Sequence, residues 1–194
     1  MLELTYDMNK IKRMMVMSIN YAILGLLSWK ELSGYGLKKI IINSSYMYWS
    51  ANNNQIYKGL IKLKKDGLIK SETIHSDDSP SKKIYFITQK GKDELKKWIL
   101  SPLETSVIKN TFLIKLAWSD ILTNEELKSQ IGKYEEDIHT QILLSEEIKK
   151  RNLYSPMRTK REEILWDMIN DNVISYYQNE MRWVRNLKNK LGII

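Results

Sequence analysis

Between Asn52 and Lys65 the chain gathers side chains that suit phosphates and base edges. Asn53, Asn54 and Gln55 stand at the start of a predicted helix, and Lys58, Lys62 and Lys65 follow along it. A carboxamide carries the donor and acceptor that match the major-groove edge of adenine, and an ammonium pairs with a phosphate as a point charge. Tyr57 is placed where such a helix passes from core to exposed edge, and Lys82-Lys83 form a second cationic pair further on. Two plainer readings stay open: an asparagine run is also helix-cap chemistry, and a lysine series is also an ordinary solvated face.

Other chemistries lack their residues. The chain has no cysteine, which excludes disulfides, thiolate zinc sites and a cysteine nucleophile and fits a reducing compartment. The two histidines, His75 and His139, stand far apart in the sequence and without the convergent ligand set a metal ion needs, so no metal site is expected. No nucleophile-base set or glycine-rich phosphate loop is present, so neither an enzyme nor a cofactor is expected. The apolar run from Met14 to Leu27 is broken by Ser18 and Asn20 and is shorter than the roughly 20 residues of a membrane span. It also lacks a following cleavage site, and a cytoplasmic protein is expected.

Charge is distributed unevenly. Of 194 residues, those up to Pro102 hold 17 Lys+Arg against 9 Asp+Glu, whereas those from Leu103 hold 14 against 14. The whole net charge of +8 therefore lies in the first half. A basic half joined to a neutral one suits a nucleic-acid reader coupled to a module that does not touch nucleic acid.

The elements that must position the candidate residues follow from apolar spacing. Ile19, Ala22, Ile23, Leu26 and Leu27 form one helical stripe, and Gly25 within it predicts close approach of another backbone. Ser33 is a good N-cap for a second helix with Leu37, Ile40 and Ile41 facing inward. Ile56, Leu60 and Leu63 give the third helix its inner face, and Asp66-Gly67 ends it. Strands are predicted over Leu68 to Ile74 and Lys83 to Ile87, around the turn-rich residues 76–81. Thr88 then caps a helix through Leu95, Trp98 and Ile99, and Ser101-Pro102 interrupts it.

Everything beyond reads as helix. Phe112 to Trp118 is short and apolar, and Leu127, Ile131, Tyr134, Ile138 and Ile142 mark one face of a long helix starting near Thr123. After a break at residues 152–159, containing Pro156, a last helix runs from about Lys160 to Leu191. Its apolar residues Trp166, Ile169, Val173, Tyr177, Met181, Val184 and Leu191 recur every three or four positions, enough surface to require a partner. The expected fold is mainly α with a small β-hairpin wing. Residues 1–16 form an extension, 17–102 a winged helix-turn-helix domain and 103–194 a helical dimerisation domain.

In their order these residues resemble the PadR family of transcriptional regulators. The resemblance rests on Tyr21-Ala22-Ile23-Leu24-Gly25-Leu26-Leu27, Ser33-Gly34-Tyr35-Gly36-Leu37, Trp49-Ser50, Gln55-Ile56-Tyr57 with Leu60 and Leu63, and Asp66-Gly67-Leu68-Ile69. Lys82-Lys83-Ile84-Tyr85 with Thr88 and Gly91 complete it, and Phe112 to Leu116, Glu180 and Trp183 carry a looser likeness in the second half. It differs from many members in having Ser33 in place of His and Asn52-Asn53-Asn54 in place of a Ser/Thr-Pro-rich lead into the third helix.

The resemblance implies a homodimeric repressor that binds a palindromic operator in double-stranded DNA, with its heads about 34 Å apart. Lys82, Lys83 and Tyr85 would serve on the wing. It also implies release by a small aromatic or amphipathic inducer, for which Trp98, Trp118 and Trp183 are candidate pocket residues, although each also fits a core position. A winged-helix protein-interaction module that does not bind DNA is the alternative, and the one-sided charge argues against it.

Overall fold

The computed structural model describes residues 8–44, 47, 53–76, 79–102, 110–153 and 155–193. Trp49, Ser50 and Asn52 lie outside the described residues. The chain divides into two compact units, Met1–Leu103 and Glu104–Ile194.

The N-terminal unit begins with α1 (Met8–Trp29), β1 (Leu32–Ser33), α2 (Gly34–Asn43) and α3 (Asn53–Lys65), followed by β2 (Ile69–Ser76), β3 (Ser79–Ile87) and α4 (Gln89–Ile99). α1 is continuous from Met8, so a helix occupies the second half of the 1–16 stretch. Ile19, Ile23, Leu26 and Leu27 of α1, Leu37, Ile40 and Ile41 of α2, and Ile56, Leu60 and Leu63 of α3 are all buried together with Ile69. Each such side chain contributes about 1.5–3 kcal/mol by leaving water. The tight turn into α2 is fixed by Ser33, whose Oγ accepts from the Gly36 N–H at 3.0 Å.

Close approach between α1 and α3 falls on a different glycine from the one expected. Nothing lies within 4 Å of a Cβ built on Gly25. On α3, by contrast, a Cβ at Gly59 would meet Asn20 Oδ1 at 2.8 Å and Ile23 Cδ1 at 3.1 Å. The glycine that admits the crossing therefore sits on the partner helix.

The three strands form an antiparallel sheet in the order β1-β3-β2. The hairpin is longer than its hydrophobic pattern, pairing Thr73 with Lys83, Ile74 with Lys82 and Ser76 with Ser79 past an irregularity between Ile74 and Ser76. A ribbon reaching into solvent needs no alternating apolar residues to keep its backbone bonds, so the polar residues there belong to strands rather than to the turn.

At the base of the hairpin Thr88 Oγ1 accepts from the Gly91 N–H at 3.1 Å and lies 3.0 Å from the Leu68 carbonyl, to which it donates. A Cβ on Gly91 would collide with that same carbonyl. Gly91→Ala should therefore lower stability by about 1–3 kcal/mol. Thermal melting of the full-length variant checks this, and an unchanged midpoint would mean the turn has room to relax.

The C-terminal unit contains α5 (Thr111–Ala117), a 3-10 turn (Ser119–Ile121), α6 (Asn124–Lys150) and α7 (Lys160–Leu191). α6 opens with a reciprocal cap: Thr123 Oγ1 accepts from the Glu126 N–H, and Glu126 accepts from the Thr123 N–H at 2.9 Å. α7 ends at Gly192, whose φ of 66° is left-handed. Ile131 and Ile138 of α6 pack on Met181 and Val184 of α7, flanked by Phe112, Leu127, Tyr134, Ile142 and Tyr177.

A polar cluster ties the three helices together. Tyr134 donates to Glu180 Oε1 at 2.6 Å, and the Asn110 amide donates to the same oxygen at 3.0 Å and to Tyr134 Oη at 2.8 Å. Burial first, and then the bond to Glu180, push the Tyr134 phenol far above its ordinary pKa. It therefore remains a proton donor throughout the physiological range.

This packing corrects part of the expected dimer face. Met181 and Val184 are buried in the chain's own core, and Tyr177 packs against that core. Trp166, Ile169 and Val173 are half-buried, and Leu191 is exposed. A second set of apolar residues lies uncovered on α7, namely Ile164, Leu165, Met168 and Tyr176. The helix thus carries two apolar faces, and only one of them is used within the unit.

Candidate nucleic-acid interface

α3 divides cleanly by face. Ile56, Leu60 and Leu63 are at most 2% exposed, while Asn54, Gln55, Lys58, Lys62 and Lys65 all face solvent. From Asn54 to Lys65 the exposed row spans about 16 Å, comparable to the width of a major groove. The side chain of Asn53 lies outside the described residues.

The cations on this row are available. Lys58, Lys62 and Lys65 make no ion pair among the described residues, whereas Lys64 donates to Ser71 Oγ on β2 at 3.0 Å and is engaged with the base of the wing. Lys90 likewise donates to the Asp66 carbonyl at 2.9 Å, holding α4 to the end of α3. With Lys62, Lys64 and Lys65 in its last turn, α3 also has its C-terminal dipole compensated.

Tyr57 bridges core and surface. It is 44% exposed, and its ring lies where a Cβ on Gly34 would come within 3.0 Å, so the buried Gly34 at the start of α2 leaves room for the ring. Lys82 and Lys83 are both exposed on β3, where successive residues point to opposite faces, so the pair straddles the ribbon.

Tyr85 is a correction. It is only 8% exposed and flanked by Leu32 of β1 and Ser71 of β2, so most of its side chain packs within the sheet. Burial, with a smaller contribution from Tyr57, raises its phenol pKa. It supports the wing from beneath, and Lys83 Nζ lies 5.8 Å from its ring centroid.

The pocket tryptophans occupy separate environments. Trp98 stacks on Tyr21 with ring centroids 4.5 Å apart, and Tyr21 donates to Glu94 at 2.9 Å. Trp183 meets Phe112 edge-on at 6.2 Å. Trp118, 75% exposed, lines a cavity of about 420 Å³ in the C-terminal unit with Phe112, Leu116, Leu122 and Leu127, and neither Trp98 nor Trp183 takes part in it.

Sequence reasoning passed over two exposed residues on the interface unit, Tyr35 and Ile61. The available signal for Ile61 was an isoleucine off the inner stripe, seven residues after Asn54. Among the described residues there is no group of three His, Asp or Glu side chains fit for a metal ion, and no helix long and apolar enough to cross a membrane.

Comparison with known proteins matches both units. Residues 23–97 fit the transcriptional regulator PadR-like family, and residues 108–192 fit the family described as virulence activator alpha C-term. The negative transcriptional regulator PadR of Bacillus subtilis is 36% identical over 121 residues, a stretch covering 59% of this chain and 66% of that protein. The crystal structure of Bacillus subtilis PadR in complex with operator DNA superposes with a TM-score of 0.72 at 25% identity, covering 87% of this chain and 96% of that one. A PadR-like transcriptional regulator of Bacillus cereus gives 0.72 at 26% identity, covering 90% and 98%. With the winged helix-turn-helix matched in sequence and the fold matched over most of its length, this chain belongs to the PadR-like family of transcriptional regulators.

Proposed function

We propose that this chain is a cytoplasmic, homodimeric repressor that binds a palindromic operator through α3 and the β2-β3 wing and is released by a small aromatic or amphipathic molecule. The observation that carries this reading is the solvent-facing row Asn54, Gln55, Lys58, Lys62 and Lys65, backed by a buried apolar stripe and flanked by Lys82 and Lys83. The lysines set affinity through phosphates; the amides at the start of α3 set sequence preference. Repression is supported by the relative named a negative regulator, and operator binding by the relative solved on operator DNA.

Dimerisation is supported by the uncovered apolar face of α7. Inducer binding is supported by the apolar cavity beside Trp118, whose volume falls within the range for small-molecule sites. Selection of duplexes from a random pool by the full-length protein tests the reading. It should enrich an inverted repeat with half-sites one helical turn, about 34 Å, apart. Failure to enrich any duplex, with retained binding to a protein partner, would favour an interaction module.

Asn54→Ala should relax preference at one or two positions of the enriched site, a change equivalent to about 1–3 kcal/mol of discrimination. A wild-type selection profile from that variant would remove Asn54 from the residues that read sequence.

A further inference from the structure

Ile61 is 71% exposed and belongs to the outward row of α3, seven residues after Asn54, three after Lys58 and four before Lys65. These spacings stack side chains on one helical face, so an isoleucine stands in the middle of a row of amides and ammoniums. One turn earlier Tyr57, half out of the core, extends the same apolar edge. A lone exposed isoleucine is ordinary on a protein surface; its position between lysines that make no ion pair among the described residues sets this one apart.

We propose that Ile61 is a specificity-determining residue that recognises thymine through its C5-methyl group, an inference that rests on the DNA-binding reading above. Lysines paired with phosphates on either side would carry Ile61 into the major groove. There the base edges present hydrogen-bonding groups and one apolar group, the thymine methyl. An aliphatic side chain gains nothing from N7, O6 or N4 and desolvates them without replacing their bonds, so thymine is the base it favours. A protein partner fits this face less well, because an apolar pocket for Ile61 would need an acidic rim to meet Lys58, Lys62 and Lys65.

The test uses the full-length protein and duplexes enriched from a random pool, with each thymine replaced in turn by deoxyuridine, which keeps the base pair and removes only the methyl. The wild-type protein should weaken about 4-fold for each methyl that Ile61 touches, the effect of one buried methylene-sized group. Ile61→Ala should bind the thymine duplex more weakly by a similar factor and bind thymine and deoxyuridine equally at those positions. Ile61→Val should keep part of the discrimination, and circular dichroism should show both variants folded. Wild-type indifference to every deoxyuridine would overturn the inference alone, as would undiminished discrimination by Ile61→Ala. Failure to enrich any duplex would overturn the DNA-binding reading with it.

Discussion

Replacing Lys58, Lys62 and Lys65 together with alanine should weaken binding on every duplex and flatten its salt dependence, leaving base preference intact. Each phosphate contact contributes about 0.9 to the slope of log K against log salt, so three lost contacts on each of two heads lower it by about 5.4. Between 50 and 200 mM salt the parent dimer should then lose about 1,800-fold more affinity than the variant. All three side chains are exposed, and none makes an ion pair among the described residues, so the substitutions leave the core alone. Anisotropy titrations over that salt range measure the difference; parallel slopes would assign the lysines to solvation only.

The second large effect concerns assembly. Leu165→Lys combined with Met168→Lys places two ammoniums on the face of α7 that the chain leaves uncovered, where the parent residues are 53% and 62% exposed. The fold should tolerate this. In a dimer the two charges would be buried without partners, at a cost of several kcal/mol each, so dimerisation should weaken at least about 100-fold. Sedimentation velocity should find a folded monomer. Val184→Lys gives the contrasting result, because Val184 lies in the α6-α7 core and its replacement should unfold the unit rather than separate two folded copies. An intact Leu165→Lys, Met168→Lys dimer would place the interface elsewhere.

Where a local signal decided the structure, the sequence was readable. Thr159 and Gly192 bracket α7 with an N-cap and a left-handed C-terminal residue, and the predicted span from Lys160 to Leu191 is the observed one. Ser33, the inner stripes of α1 to α3 and the Thr88 cap were equally legible, because a cap or a 3.6-residue repeat needs no tertiary information.

What escaped depends on packing between elements. β1 has two residues and no periodicity, and exists because β3 offers it an edge at Leu32 and Ser33. Tyr85 shares its strand face with Lys83, yet it is buried because β3 passes from the free ribbon to the part of the sheet flanked on both sides. α7 carries one apolar face for α6 and another left open, and a single repeat read along the sequence merges the two. Thus Tyr177, Met181 and Val184 joined the predicted dimer contacts, whereas Ile164, Leu165 and Met168 did not.

If the outward row of α3 and the wing form the surface that meets DNA, bound duplex should shield their lysines from chemical modification. Lysine acetylation of the full-length protein, with and without saturating duplex and quantified residue by residue by mass spectrometry, tests it most directly. Lys58, Lys62, Lys65, Lys82 and Lys83 should be protected by duplex, while exposed Lys133 and Lys150 of α6 react as before. Unchanged labelling of those five, or protection concentrated on α6, would contradict the account.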